Sequence, residues 1–297
     1  MERDGWQVCI DPSVPGWEHT SLYVAQLAPG DTRTLAAGEW EHIVLPLSGA
    51  VTVEADGQRL SLAGRADVFA GPTDVAYVAR DLGLTVTAGE GAARVAVCGA
   101  KARGRHTPSV VRIAREDVPV ELRGAGLASR EVRNFGTPAT LAADAIIACE
   151  VLTPAGNWSS YPPHKHDEDR PGQETSLEEI YYYELQSAQR GEPGRSSGGN
   201  TGASAPRGIG YQRVYGTADR PIDVLAEVRS GDVVLVPHGW HGPTTAPPGY
   251  DIYYLNIMAG PGTERAWLIC DDPAHTWVRD TWPDQAVDPR LPFGGKR

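Results

Sequence analysis

Glycine and proline break this chain into pieces too short for long helices. They number 34 and 24 among 297 residues. Between them lie short runs rich in Val, Ile, Leu and Tyr, the pattern of strands joined by turns. A helix interior disfavours Gly by about 1 kcal/mol and Pro by about 3 kcal/mol relative to Ala. The expected strands are 21–27, 42–47, 50–55, 75–78, 84–88 and 94–98, then 145–153, 179–185, 210–214, 224–228, 232–236 and 251–258. Few short helices are expected, so the fold class is all-β.

The two series echo one another. Glu41-His42-Ile43-Val44-Leu45 reads as an acid followed by a strand, and Gly64–Pro72 as a Gly-led strand ending at Gly-Pro. Glu179-Ile180-Tyr181-Tyr182-Tyr183 and Gly231–Pro237 repeat that order. Residues 110–120 are of mixed character, and the Arg/Gly-rich stretch 121–134 reads as the connection between two units. Residues 190–208 are poor in apolar side chains and read as a surface excursion. The acidic loop 167–176 reads as a candidate lid.

The net charge of −11 opposes binding to nucleic acid or an anionic membrane. No apolar run approaches the roughly 18 residues that span a bilayer. The N-terminal MERDGWQVCI lacks the basic flank and apolar core of a signal peptide. The cysteines Cys9, Cys98, Cys149 and Cys270 are far apart and form no Cys-x-x-Cys pair. A cytoplasmic protein with reduced, buried thiols is expected.

Half of the eight histidines fall in two short segments, Tyr161–Asp167 and Pro237–His241. Residues i and i+2 of an extended backbone share a face, so His164 and His166 can aim at one point. An acid pair, Glu178-Glu179, follows, and His238 and His241 offer further imidazoles. Two or three His with one carboxylate form a ligand set for a divalent transition metal that leaves a position open. His42 reads as an ordinary strand residue.

These features resemble the bicupin pattern: His-x-His, a gap and Glu, then Gly231-x5-Pro237-x-Gly239-x-His241. The longer runs NWSSYPPHKHDED (157–169), LEEIYYYEL (177–185), YQRVY (211–215), GDVVLVPHGWH (231–241), GYDIYYLNIMAGP (249–261) and DDPAHTW (271–277) resemble the 5-deoxy-glucuronate isomerase family of myo-inositol catabolism. REVRN (130–134) and RADVFAGP (65–72) fit it too. His238, Gly242 and the long 190–208 segment depart from the family pattern and bear on the rim of the site.

The resemblance implies two jelly-roll β-barrels. Residues 1–120 would form a degenerate cupin barrel without metal ligands, and 121–297 a metal-binding one. It also implies a metal-dependent aldose–ketose isomerisation of 5-deoxy-D-glucuronate to 2-deoxy-5-keto-D-gluconate. The ligands would be His164, His166, Glu179 and His241, holding one divalent metal per chain. Glu179 is preferred to Glu178 because the cupin acid starts its strand two residues before an aromatic position. His238 is the rival of His241. Zinc suits a redox-neutral reaction, and manganese or iron also fit the donor set.

Acid–base candidates are Glu178, Tyr183, Glu184 and a metal-bound water. Lys165, Arg213 and His238 are candidates for the substrate carboxylate, and Tyr181 and Tyr254 for its hydroxyls. Two other readings use the same ligands: a cupin metal-dependent dioxygenase and a non-catalytic sugar-binding cupin. Cupins often pair through barrel edges, so a homo-oligomer is compatible with the chain.

Overall fold

The computed structural model describes residues 3–188 and 208–294. The 190–208 excursion therefore lies almost wholly outside the described residues. The nine strands between Val8 and Ile113 form one connected sheet system, and those between Val120 and Asp271 form two six-stranded sheets. All named pairings are antiparallel. The α-helix among the described residues, Trp277–Asp280, is a single turn. No described helix is long and apolar enough to cross a membrane.

The strands follow the expected positions with instructive exceptions. Runs 42–47 and 50–55 are one strand, Trp40–Ala55, which leaves one sheet and enters another. A register shift between Pro46 and Ser48 and a left-handed Gly49 (φ 74°) let it bend without stopping. The stretch 121–134 is not an irregular connection. It holds most of two paired strands, Val120–Arg123 and Arg130–Gly136. Its charge hid the alternation, because Glu131 and Arg133 are buried as a pair and Arg130 is buried beside them.

Three cores result. One fills the first half, around Leu27, Val44, Val53 and Val97. A second fills the second half and is rich in tyrosine, including Tyr181, Tyr183 and Tyr254. The third joins the halves, with Leu22, Ile43 and Leu45 meeting Ile180, Tyr182, Tyr253 and Leu255. The strands Glu178–Ser187 and Tyr250–Ala259 thus send alternate side chains into their own barrel and against the other.

Charged groups also cross this joint. Glu178 accepts hydrogen bonds from the backbone amides of Glu18, His19 and Thr20 at 3.2, 2.8 and 2.7 Å. Glu41 accepts the amides of Asp144, Ala145 and Ile146 at 3.0, 2.6 and 2.7 Å. Each half therefore inserts a carboxylate into the strand entry of the other. This correspondence corrects the repeat alignment by one residue: Glu41 matches Glu178, and His42 matches Glu179. Slipped pairing of the two acids had concealed it.

Beside them, Arg65 of the first half pairs with Glu150 of the second, with both side chains buried. Arg133 donates to Glu131 at 2.7 Å and to the carbonyls of Val68 and Gly71 at 2.8 and 2.7 Å. Burial alone would raise the Glu150 carboxyl, but the charges of Arg65 and Arg133 outweigh it and hold it low. Such a depressed carboxylate stabilises the fold above its unfolded value and loses that contribution as pH falls through its folded value. Arg65→Met leaves Glu150 under-compensated and is expected to cost about 3–5 kcal/mol. Urea unfolding should show this loss at neutral pH. Acid titration should show unfolding beginning at a higher pH than in the parent.

Candidate metal centre and its cavity

His164 lies on a short strand directly opposite His241, and both are buried. The His241 ring centroid lies 4.5 Å from that of His164 and 4.6 Å from that of His166. Ligand atoms of the three imidazoles fall within 4.8 Å of one another. Glu179 enters from the neighbouring sheet, where it pairs with Val236 and Met258 and faces inward with Tyr181 and Tyr183.

The hydrogen bonding shows what this cluster lacks. His166 Nδ1 lies 3.2 Å from the Leu177 carbonyl oxygen, and His241 Nδ1 lies 3.1 Å from that of Gly239. A carbonyl only accepts, so each Nδ1 carries a proton. In the neutral rings each Nε2 is then a lone pair. Both lone pairs face Glu179 Oε2 at 3.1 Å. The buried His241 Nε2 has no hydrogen-bond partner. Three acceptors thus converge with no donor between them.

A cation resolves this conflict. Ligand atoms about 2.0–2.2 Å from a shared zinc-sized ion stand roughly 2.8–3.6 Å from one another in octahedral or tetrahedral arrays. The carbonyls on Nδ1 are the supports expected behind metal-binding imidazoles. The residues present therefore fit a divalent metal.

The electrostatics agree with a site built around positive charge. Burial would raise the Glu179 carboxyl, but its close contacts with His166 and His241 outweigh that and hold it down at about 2. Burial, reinforced by His241 and His166, pushes the His164 imidazole well below its ordinary value. Burial also disfavours charge on His166, but its contact with Glu179 outweighs this and raises it.

Lys165 points the other way, as alternation requires. Its ammonium donates to Asp167, Glu168 and Glu174 at 2.6, 3.0 and 2.8 Å. Asp167 in turn accepts the Gly239 amide at 2.9 Å. This cluster ties the loop after His166 to the turn before His241. Lys165 is accordingly committed to holding the loop and has no free donor for a substrate.

A cavity of about 220 Å³ opens on the cluster, and His164, Glu179, Tyr181 and Tyr254 form part of its wall. Of the other sequence candidates, several lie elsewhere. Glu178 is committed to the joint between the halves. Tyr183 donates to Gln212 at 3.0 Å and does not line the cavity. Glu184 accepts from Tyr182 at 2.5 Å and pairs with Arg94 on the opposite sheet face. Arg213 is held by Asp223 and by the Val214 and Val224 carbonyls on the outer sheet. His238 is half-buried and outside the imidazole cluster.

Residues that the sequence reading missed complete the wall: Ser160, Arg123, Arg130, Trp267 and Arg279. Ser160 adopts a left-handed backbone (φ 47°), and its hydroxyl lies 3.2 Å from that of Tyr254 and 3.4 Å from that of Tyr181. Gly242 packs against it. A Cβ there would stand 1.8 Å from the Ser160 carbonyl oxygen, and its φ is 101°. Glycine at this departure from the family pattern is thus required by the wall. Only the repeated arginines of 121–134 signalled the basic residues, and they carried no spacing that fixes a role.

His241→Ala is expected to lower zinc retained after dialysis by at least about tenfold, in line with losing a ligand or its support. His238→Ala should retain the parent stoichiometry. Metal analysis of the two purified variants checks both.

A model of the KduI/IolB family matches residues 1–278. A 5-deoxy-glucuronate isomerase of Geobacillus kaustophilus HTA426 is 39% identical over 282 residues, which is 94% of this chain and 92% of that protein. One of Bacillus subtilis strain 168 is 37% identical over 262 residues, 88% of each chain. The crystal structure of an IolB-like protein from Salmonella typhimurium LT2 is 35% identical, with a TM-score of 0.80, covering 94% of this chain and 97% of that one. The oxalate decarboxylase of Lactobacillus farciminis is 12% identical, with a TM-score of 0.59 over 91% of this chain and 85% of its own. That likeness is one of fold, and it makes this architecture a bicupin. The chain belongs to the KduI/IolB family.

Proposed function

We propose that this chain isomerises 5-deoxy-D-glucuronate to 2-deoxy-5-keto-D-gluconate, using one divalent metal held by His164, His166, Glu179 and His241. The observation that carries the reading is the meeting of two imidazole lone pairs with the oxygen of a carboxylate, at 3.1 Å, where that carboxylate and His164 line a small cavity. The identity of the relatives, 39% and 37%, supports the substrate. Zinc is the assigned metal, with manganese and iron as its rivals, and the cytoplasm the assigned compartment. The division at 120/121 into a ligand-free barrel and a metal-binding barrel is part of the same proposal. In the first half, His42 stands alone at the position matching Glu179. Burial pushes its imidazole down to about 4, as suits a neutral core residue.

The reaction moves hydrogen from C2 to C1 of an α-hydroxy aldehyde. The metal would supply Lewis acidity at the oxygens of those carbons. The chain must position the substrate and transfer a proton. The hydroxyl group of Ser160, flanked by the phenols of Tyr181 and Tyr254, is the set of proton-carrying groups beside Glu179. These replace Glu178 and Tyr183 as the acid–base candidates. All three side chains are buried.

Metal-loaded protein incubated anaerobically with 5-deoxy-D-glucuronate in D2O and followed by NMR should lose the aldehyde signal and gain that of the ketose. Absence of turnover there, with oxygen uptake by the Fe(II) form, would overturn the isomerase reading in favour of a dioxygenase. Tyr254→Phe and Tyr181→Phe should keep the metal, and at least one should lower kcat by about 10²-fold. Parent kcat in both variants would remove the hydroxyl set from the mechanism.

A further inference from the structure

The cavity wall contains three guanidinium groups in a chain of net charge −11. Two are already neutralised. Arg123 makes a paired contact with Glu121, at 2.9 and 2.7 Å. Arg279 makes a paired contact with Asp271. Arg130 differs from both. It is 6% exposed, and among the described residues it has no carboxylate partner. It donates to the Ala128 carbonyl at 3.1 Å, and its guanidinium lies 5.7 Å from the Trp282 ring centroid.

A buried cation without an anion is costly to the fold, and a chain retains one where something else supplies the anion. Two further groups on the same wall are unsatisfied. The Trp267 indole N–H and the Asn256 amide nitrogen are buried without hydrogen-bond partners. An indole N–H can only donate. The wall therefore offers unmatched donors around one unmatched positive charge, which is the complement of a carboxylate.

We infer that Arg130, with the Trp267 indole N–H and the Asn256 side chain, forms the subsite that binds the substrate's carboxylate and selects acids over neutral sugars. This deepens the isomerase reading and rests on it for the identity of the acid. Alternation places Arg130 there. On the Arg130–Gly136 strand, Arg130 and Val132 line the cavity, and Glu131, Arg133 and Phe135 turn to the other barrel. Arg123, its partner in strand register, and Arg279 are held by their own acids and do not compete for the anion. The planar fork of an arginine matches a carboxylate in a way that a lysine ammonium does not.

The test compares an acid with its uncharged analogue in metal-loaded parent, Arg130→Met and Arg130→Lys proteins. Binding is measured by calorimetry with D-gluconate and D-glucitol. Turnover is measured with 5-deoxy-D-glucuronate and 5-deoxy-D-glucose. The parent should prefer gluconate, and Arg130→Met should lose that preference by about 10²-fold or more, with glucitol affinity unchanged. Arg130→Lys should keep part of it, because the charge remains and the fork does not. kcat/KM for the uronate should fall in parallel, and that for the neutral aldose should not.

Equal losses on acid and alcohol in Arg130→Lys, or a parent-like preference in Arg130→Met, would overturn the subsite. Should Arg130→Met fail to fold, Arg130→Lys and Trp267→Phe carry the same comparison. A gluconate preference that depends on Arg130, in a parent that does not isomerise the uronate, would uphold the subsite and sink the isomerase reading instead.

Discussion

Glu178 and Glu179 are neighbours on one strand, are buried on opposite faces of one sheet, and receive different solvation. A carboxylate out of water must be met by donors or by positive charge. Glu178 is met by three backbone amides and the Thr20 hydroxyl of the other barrel. Glu179 faces the cavity beside two imidazole lone pairs, and the cation that the three would share is the charge it needs. Because side chains alternate with a period of two, a slip of one residue would exchange the two environments. It would pull a carboxylate away from the imidazole cluster and a clasp out of the joint. The register that docks the barrels is therefore the register that builds the site.

The reciprocal clasp explains how two barrels of unequal chemistry share one plan. Glu41 does for the second barrel's strand entry what Glu178 does for the first's, and its second oxygen also accepts the Tyr77 hydroxyl at 2.7 Å. What differs is the adjacent inward position. In the first barrel it holds His42, amid an interior of small aliphatic side chains such as Val44, Val53 and Val97. In the second it holds Glu179, amid tyrosines and histidines. The aliphatic interior closes on itself. The aromatic one, with polar tips that need partners, leaves a lined cavity.

Much of this was legible in the sequence because it follows from spacing. His164-x-His166 shares a face by alternation, Lys165 must leave it, and Gly and Pro mark most strand ends. Glu179 follows from the same rule once the inward face is known from Tyr181. The sequence was silent where function depends on partners far along the chain. Nothing local tells Glu178 that residues 18–20 will supply its amides. Nothing local tells Lys165 that Glu174 will fold back onto it, or Arg130 that it will lack the acid its neighbours Arg123 and Arg279 possess. Charged residues made the 121–134 stretch look like a linker. One of them, Arg133, is matched by Glu131 on its own strand and by the carbonyls of Val68 and Gly71 across the joint.

That stretch also shows how the first half bears on the cavity of the second. Arg130 lines the cavity, and three residues later Arg133 reaches into the first barrel, with the same strand holding both. Arg65 reaches back from the first barrel to Glu150, on the strand Ile147–Thr153 whose opposite face carries Val151 into the cavity wall. Two of the sheet positions behind the site are thus pinned by buried ion pairs and carbonyl contacts from outside its own barrel. A cavity wall must hold its groups to within a fraction of an ångström to favour a transition state over a substrate. The first half supplies that rigidity from behind, packed on the second face of a sheet whose first face lines the cavity.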